Sequence, residues 1–240
     1  MSKLTGFTAP FDAVVIGASG GIGSAFVSLL ELDPNIGQVL AFARSSGDNH
    51  IDLTDEETIS AAAGRAAQLP NLRLVIVATG LLHDGGVIQP EKALRSLTVN
   101  GFEQNFAVNT IGPALVIKHF APIMPRAGKS TLAVLSARVG SISDNHIGGW
   151  YAYRASKAAL NMLLRTSAIE LARTRKELCI LGLHPGTVDT GLSAPFQSNV
   201  SSEKLFTPHQ SASYLLDVIN NTDADKSGCV IAWDGQLVPA

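Results

Sequence analysis

The 240-residue chain has no surplus of charge: 18 lysines and arginines stand against 20 aspartates and glutamates, a formal net charge of −2. A nucleic-acid or anionic-membrane surface needs a basic patch, so neither partner is expected. Cysteine is scarce, with two in the chain. Cys179 in ELCILGLH and Cys229 in GCVIAW both lie in apolar runs, which predicts buried free thiols rather than a disulfide, and with them a reducing, cytoplasmic setting. No apolar run reaches the roughly 20 residues of a membrane span. The opening MSKLTGFTAPFD lacks the apolar core of a signal peptide. HExxH, CxxC and histidine clusters are missing, so no protein-bound metal is expected. Linkers, repeats and low-complexity runs are also missing, which leaves residues 1–240 as a single domain.

What the chain does have is alternation. Apolar stretches of strand length recur at 13–16, 38–43, 73–78, 130–136, 177–184 and 228–233, with a short one at His50–Leu53. Most are apolar on both faces, as strands are in a covered parallel sheet. Helical patterns lie between them at Gly23–Leu32, Asp55–Gln68, Glu103–Met124, Tyr153–Thr174 and Pro208–Asn220. The alternation predicts an α/β fold: one doubly wound parallel sheet with helices on both faces. The most loop-like internal stretch, 192–208 (LSAPFQSNVSSEKLFTP), follows a strand end. Ligands bind outside the carboxyl ends of such strands, so this stretch is a candidate lid, with Leu192 and Phe196 as its apolar inner side.

The first strand runs into IGASGGIGSAF, and the first helix follows. Gly17, Gly20, Gly21 and Gly23, with Ser19 and Ile22 between them, form a turn where the backbone can approach a pyrophosphate. The helix N-terminus then offers free amides. This predicts a dinucleotide site of Rossmann type. An NAD site places an acid about 20 residues beyond the glycines; here that position is Ala43, followed by Arg44. A guanidinium pairs with a 2′-phosphate where a carboxylate would repel it, so NADP(H) is expected ahead of NAD(H). Ser45 and Ser46 could add donors. Asp52, next to Leu53, could accept from the adenine amino group or cap the next helix, a role better suited to Thr54 or Asp55.

The stretch GGWYAYRASKAALN holds Tyr153 and Lys157, four residues apart and therefore on one helix face. Tyr151, six residues from the lysine, is out of phase. A lysine ammonium about 4 Å away is worth roughly 4 kcal/mol at an effective dielectric of 20, enough to make a phenol about a thousandfold more acidic. Such a pair makes a general acid for carbonyl reduction, or a base for alcohol oxidation.

Together, Gly17-x-x-x-Gly21-x-Gly23, Asn109 in FAVNTIGP, Tyr153-x-x-x-Lys157 and HPGTVDT with Pro185, Gly186 and Thr190 resemble the short-chain dehydrogenase/reductase family over the whole chain. Within it the chain is most similar to the C-factor-like and carbonyl-reductase-like members. The resemblance implies a Rossmann fold and oxidoreductase activity with a small carbonyl or alcohol substrate. It makes Tyr153 the proton donor and acceptor, and gives Lys157 the nicotinamide ribose. Asn109 would hold a relay water. Pro185, Gly186, Val188 and Thr190 would lie along the nicotinamide. The alanine-rich helix surface would be able to pair subunits into a homo-oligomer. Three departures stand out. Ile16-Gly17 replaces the family's Thr-Gly. Val77-Ala78-Thr79-Gly80 replaces Asn-Asn-Ala-Gly. Ala137 occupies the position of the substrate-binding serine, so the hydroxyl is sought at Ser136 or Ser141. Alternation turns Ser136 away, which makes Ser141 the better placed. The loss at Ala137 also leaves room for a non-catalytic, NADP-binding regulatory protein on the same scaffold; a lyase or epimerase is a further option. Trp150 is placed equally well in the substrate pocket or against a loop. Arg138 and Arg154 flank the site, His83 and His146 read as solvated loop residues, and His184 as a satisfied polar group.

Overall fold

Six parallel strands form one sheet in the order β2-β1-β3-β4-β5-β8: β1 Phe11–Ile16, β2 Ile36–Phe42, β3 Leu72–Val77, β4 Ser130–Leu135, β5 Leu178–His184 and β8 Val230–Ala232. The computed structural model describes residues 3–198 and 201–240, and the backbone only of Ser202. Two short strands, β6 Thr187–Val188 and β7 Leu205–Phe206, pair outside the sheet. The central strands are buried along their whole length, as in FDAVVI of β1 and STLAVL of β4, because helices cover both faces.

On one face α1 (Gly21–Glu31) packs beside α6 (Pro208–Asn221) over Ala13, Val15, Leu74, Ile76, Ala133, Leu181 and Leu183. On the other, α2 (Glu56–Ala66), α4 (Gly112–Phe120) and α5 (Tyr151–Leu171) cover Val14, Ile16, Val75, Val77, Leu132, Val134 and Ile180. Helix starts follow local chemistry. Asp55 caps α2 by accepting from Glu57 N (3.0 Å). Thr207 and Gln210 form a capping box ahead of Pro208 at the first turn of α6. The strand order reverses between β1 and β3, and both feed their loops into the crevice where such folds bind dinucleotides.

Three expected elements differ. His50–Leu53 forms no strand; Ala43 and His50 make a single bridge. The Asp52 amide is taken by Thr58 Oγ1 (2.9 Å), and Asp52 Oδ1 accepts from Thr54 N (2.9 Å), so side chains of the next turn satisfy groups a ladder would have used. The last strand shrinks to Val230–Ala232. The long central helix starts earlier, as α3 (Val99–Phe106), with Thr98 capping Gly101 N at 3.0 Å. It passes through a π-turn at Ala107–Ile111 before α4. The continuous helical stretch Val99–Ile123 is long and apolar enough by composition to cross a membrane. In this fold its apolar side contributes Val116, Ile117 and Phe120 to the core.

Candidate active site

At the carboxyl end of β1 and β3 opens a cavity of about 660 Å³, lined among others by Gly17, Ser19, Gly20, Arg44, Asp52, Leu53, Ala78, Thr79 and Gly80. Two glycines are required here by close approach. Gly17 has φ +87°, and a β-carbon on it would stand 2.8 Å from the Ala78 carbonyl oxygen; one on Gly23 would stand 2.1 Å from the Gly17 carbonyl oxygen. The turn therefore packs backbone on backbone and presents the start of α1, whose N-cap residue Gly20 has no side chain to cap it. Ile22 faces inward, against the core under α1 and α6, and not into the cavity. Arg44 is exposed on the cavity wall, and its guanidinium makes no hydrogen bond or ion pair with the described residues; Ser45 and Ser46 are not among the lining residues. Asp52 bonds the Thr54 amide and hydroxyl, and these bonds hold its carboxyl below the ordinary carboxylate range. Thr79 Oγ1 is buried without a partner among the described residues. A glycine cradle, an uncapped helix start, an unpaired buried hydroxyl and an uncommitted guanidinium together fit the phosphates of a nicotinamide dinucleotide.

The other motifs converge on the same crevice. A β-carbon on Gly21 would lie 2.8 Å from Thr190 Cγ2, which brings the HPGTVDT segment over the start of α1. Val188 is buried in β6, Pro185 O accepts from Ser211 Oγ (2.9 Å), and Gly186 packs on Phe206. A β-carbon on Gly80 would stand 3.7 Å from Asn109 Oδ1, 3.8 Å from Leu192 Cδ1 and 3.9 Å from Lys157 Nζ. The buried stripe of α5 is apolar toward its C-terminal end (Leu160, Leu164, Ala168) and becomes Tyr153, Ser156 and Lys157 where it reaches the crevice. Lys157, 2 % exposed, donates to Leu135 O at 2.8 Å, and its Nζ is 5.9 Å from the Tyr153 ring centre. Asn109 sits in the π-turn, a feature that often marks functional positions. Its Oδ1 accepts from Leu81 N (2.8 Å), and its Nδ2 donates to Leu81 O (2.7 Å) and toward Asn105 Oδ1 and Ser156 Oγ. In this structure Asn109 clamps the loop after β3, which lacks the family's asparagines.

Around the phenol the walls are apolar: Leu82, Ala137, Val139, Trp150, Leu192 and Phe196. Burial pushes the Tyr153 phenol up to about 12 and the Lys157 ammonium down to about 7. The expected lowering of the phenol is therefore not met: a dry site disfavours charge on either group. Phe196 packs on Trp150 (5.0 Å between ring centres) and edge-on to His83 (5.8 Å). His83 Nε2 lies 3.1 and 3.2 Å from the carbonyl oxygens of Gly191 and Leu192, so it is engaged rather than solvated. The β6–β7 pair ties together the ends of the 189–204 segment, and of the candidate lid at 192–208, positions 199–200 lie outside the described residues.

A family model for short chain dehydrogenase matches residues 12–201. The chain belongs to this family. Among curated proteins, the 1-hydroxy-2-glutathionyl-2-methyl-3-butene dehydrogenase of Rhodococcus sp. (strain AD45) is 31 % identical over 202 residues, 84 % of each chain. The C-signal protein of Myxococcus xanthus is 31 % identical over 159 residues, 66 % of this chain and 90 % of that one. Among solved structures, the NADPH-bound carbonyl reductase from chicken fatty liver superposes with a TM-score of 0.81 at 25 % identity, covering 97 % of this chain and all of that one.

As a short-chain dehydrogenase this protein is an oxidoreductase, and its reacting end departs from the sequence expectation at the serines. Ser136 Oγ donates to Asn161 Oδ1 at 2.6 Å, on the side of β4 that faces α5. Ser141 Oγ accepts from Asp144 N (3.1 Å) and lies 3.4 Å from Ala240 O. Neither hydroxyl bonds the Tyr153 phenol; β4 stays regular to its end, and the tail at Ala240 holds the 141–143 loop. His184 Nδ1 is buried without a partner among the described residues, and burial pushes the imidazole down to about 4, so it is not a satisfied group. Arg138 pairs with Asp144, and Arg154 donates to the carbonyls of Gly149 and Val139. Asn105, Ser156 and the Leu135 carbonyl were not foreseen. The i, i+4 spacing of Asn105 and Asn109 is a signal that could have found the first; the others are set by tertiary contact alone. Cys179 is buried and Cys229 partly so, both as free thiols.

Proposed function

We propose that the protein is an NADP(H)-dependent reductase or dehydrogenase acting on a small, neutral carbonyl compound or its alcohol. The observation that carries this is the convergence at Gly80. Asn109 Oδ1, Lys157 Nζ and the Leu192 side chain come within 4 Å of one point on the cavity-lining Gly80, with Lys157 one helical turn from a buried phenol that can give or take a proton. The nicotinamide, when bound, supplies or accepts the hydride. Tyr153 gives its proton to the carbonyl oxygen in one direction and takes it back in the other. Lys157, anchored by Leu135 O, holds the ribose and, once charged, favours the phenolate.

Arg44, following Ala43 where an NAD site carries an acid, supports NADP(H) over NAD(H). The solved neighbour from chicken holds NADPH. The neutral substrate is supported by the apolar wall around Tyr153 and by Arg138 and Arg154, which are both committed elsewhere. The Rhodococcus relative is named for a glutathionyl-substituted alcohol; the side chains packed around the phenol here are apolar, which favours the neutral compound. Outward movement of Leu192 and Phe196, which pack beside the phenol, would admit the substrate. The two free cysteines fit a reducing cytoplasm.

The test is NADPH oxidation by purified protein over aldehydes, ketones, quinones and diketones, each with a carboxylate-bearing counterpart. Turnover of neutral compounds ahead of their charged counterparts is expected. Cofactor binding without turnover across the whole panel would overturn the reading.

A further inference from the structure

Helix α5 begins in an unusual way. Its N-cap residue is Trp150, left-handed at φ 51°, ψ 47°, with no side-chain cap. Gly148 and Gly149 before it are also left-handed, at φ 69° and 67°. An N-cap is ordinarily Ser, Thr, Asp or Asn, whose own oxygen satisfies the first amides of the helix. Here the cap position spends its side chain on the pocket: the indole lies edge-on to the Tyr153 ring (6.3 Å) and against Phe196 (5.0 Å). A tryptophan in the left-handed region persists only where its surroundings hold it.

Glu91 provides that hold. It lies in the loop after β3, is 7 % exposed, and forms no ion pair among the described residues. Its backbone oxygen accepts from Trp150 N at 2.6 Å. Its Oε2 accepts from Ala152 N at 3.2 Å, the bond an ordinary cap would make. Its Oε1 faces the first turn of α3, 3.4 Å from where a β-carbon on Gly101 would stand. One side chain thus sits between the starts of the helix that leads to Asn109 and the helix that carries Tyr153 and Lys157. Both helix starts favour negative charge.

We propose that Glu91 is a positioning residue for the reaction: it caps α5 from another loop and locks Trp150 left-handed, so that the indole walls the substrate pocket beside Tyr153. The catalytic part of this rests on the function proposed above; the clamp itself does not.

The test uses the full chain with Trp233→Phe, which leaves Trp150 as the one tryptophan. Three changes at position 91 are compared for Trp150 emission and acrylamide quenching, cofactor stoichiometry, and kcat and KM. Glu91→Gln keeps arm length and an acceptor oxygen, so its emission should match the parent's. Glu91→Asp keeps the charge but falls short of Ala152 N, and Glu91→Ala removes the cap. Both should red-shift the emission and raise quenching. Both should lower kcat/KM about tenfold or more, as a small misplacement of a reacting group does, with KM raised and cofactor stoichiometry unchanged. Should Glu91→Ala fail to fold, the Asp and Gln pair decides alone. Emission of the Asp variant equal to the parent's overturns the clamp, as does a Gln variant displaced as far as Asp. Shifted emission in a protein whose parent shows no turnover leaves the clamp standing and sinks the proposed reaction instead.

Discussion

The two ends of the crevice are built on opposite principles. At the end proposed for the adenosine the wall is open and carries a solvated cation: Arg44 is exposed and uncommitted beside a cavity of about 660 Å³. At the reacting end the wall is apolar and shut, with Phe196 on Trp150 and both titratable groups pushed toward their neutral forms. Affinity and chemistry are therefore separable. The open end can bind with solvated charge at little desolvation cost. The closed end keeps the Tyr153 phenol and Lys157 dry, where a charge brought in by a ligand acts at low dielectric and is felt strongly.

The sharpest way to break this contrast is Tyr153→Phe. Removing a positioned general acid costs about 10² to 10⁴ in rate, while the adenosine end is untouched. Turnover should fall by that range, with NADPH affinity by titration calorimetry close to the parent's. A variant keeping more than about a tenth of turnover, with chemistry limiting, assigns the proton to another group. Tyr151→Phe, off the site face, should retain most activity.

Lys157→Met tests the dryness of the closed end through stability. Above 10.5 both folded and unfolded chains hold this lysine neutral and it costs nothing. Between about 7 and 10.5 the unfolded chain takes a proton that the folded one refuses, so stability falls as pH falls. Below about 7 the folded protein carries the buried charge at full cost, roughly 5 kcal/mol as an upper bound for so large a displacement. Tyr153 adds slope only above about 10, where its departure from 10.0 toward about 12 begins to act, and so leaves the range from pH 6 to pH 10 to Lys157. Methionine should raise the melting temperature at pH 6 relative to the parent, and the gain should shrink toward pH 10. Parallel melting curves across that range would mean that Lys157 is hydrated.

How much of this was legible beforehand follows the same divide. The glycine turn, Arg44 and the Tyr153/Lys157 phase are local: each is a spacing within one element, and the pattern of apolar strands predicts the sheet that gathers them. The long central helix was legible as a helix but not its π-turn, where Asn109 meets the Leu81 backbone 28 residues away. Glu91 gave no signal at all, because its partners at Trp150 and Ala152 lie some 60 residues on and only the tertiary fold brings them near. The state of the phenol was misjudged for a related reason. The spacing argument counts the lysine's charge, whereas burial of the pair decides whether the lysine is charged.

At the open end, Arg44→Asp should be gentler. The parent is expected to prefer NADPH over NADH at least tenfold, which needs only about 1.4 kcal/mol. The variant should lose that preference or invert it. Because Arg44 is solvent-exposed, the preference should also weaken as salt is added. Equal affinities in the parent, at low salt, would remove Arg44 from the 2′-phosphate.

The smallest effect is expected at the serines, and it tests whether the closed end works with a tyrosine alone. A hydroxyl that stabilises the developing oxyanion must lie about 2.7 to 3.1 Å from it, and its loss typically costs about 10² to 10³ in kcat. Ser136 is instead held at 2.6 Å by Asn161, and Ser141 by Asp144 N and Ala240 O. Ala137, on the pocket wall, has no hydroxyl to offer. The double variant Ser136→Ala, Ser141→Ala should therefore turn over within about threefold of the parent, far short of the loss of an oxyanion donor. It should still melt lower, since Asn161 and Asp144 lose buried or half-buried partners. Ala137→Ser is the reciprocal experiment. It places a hydroxyl on the wall beside Tyr153, and a rise in kcat there, with none lost in the double variant, is the joint outcome that fits a tyrosine working unaided. A hundredfold loss in the double variant would instead show that one of these loops rearranges when substrate enters.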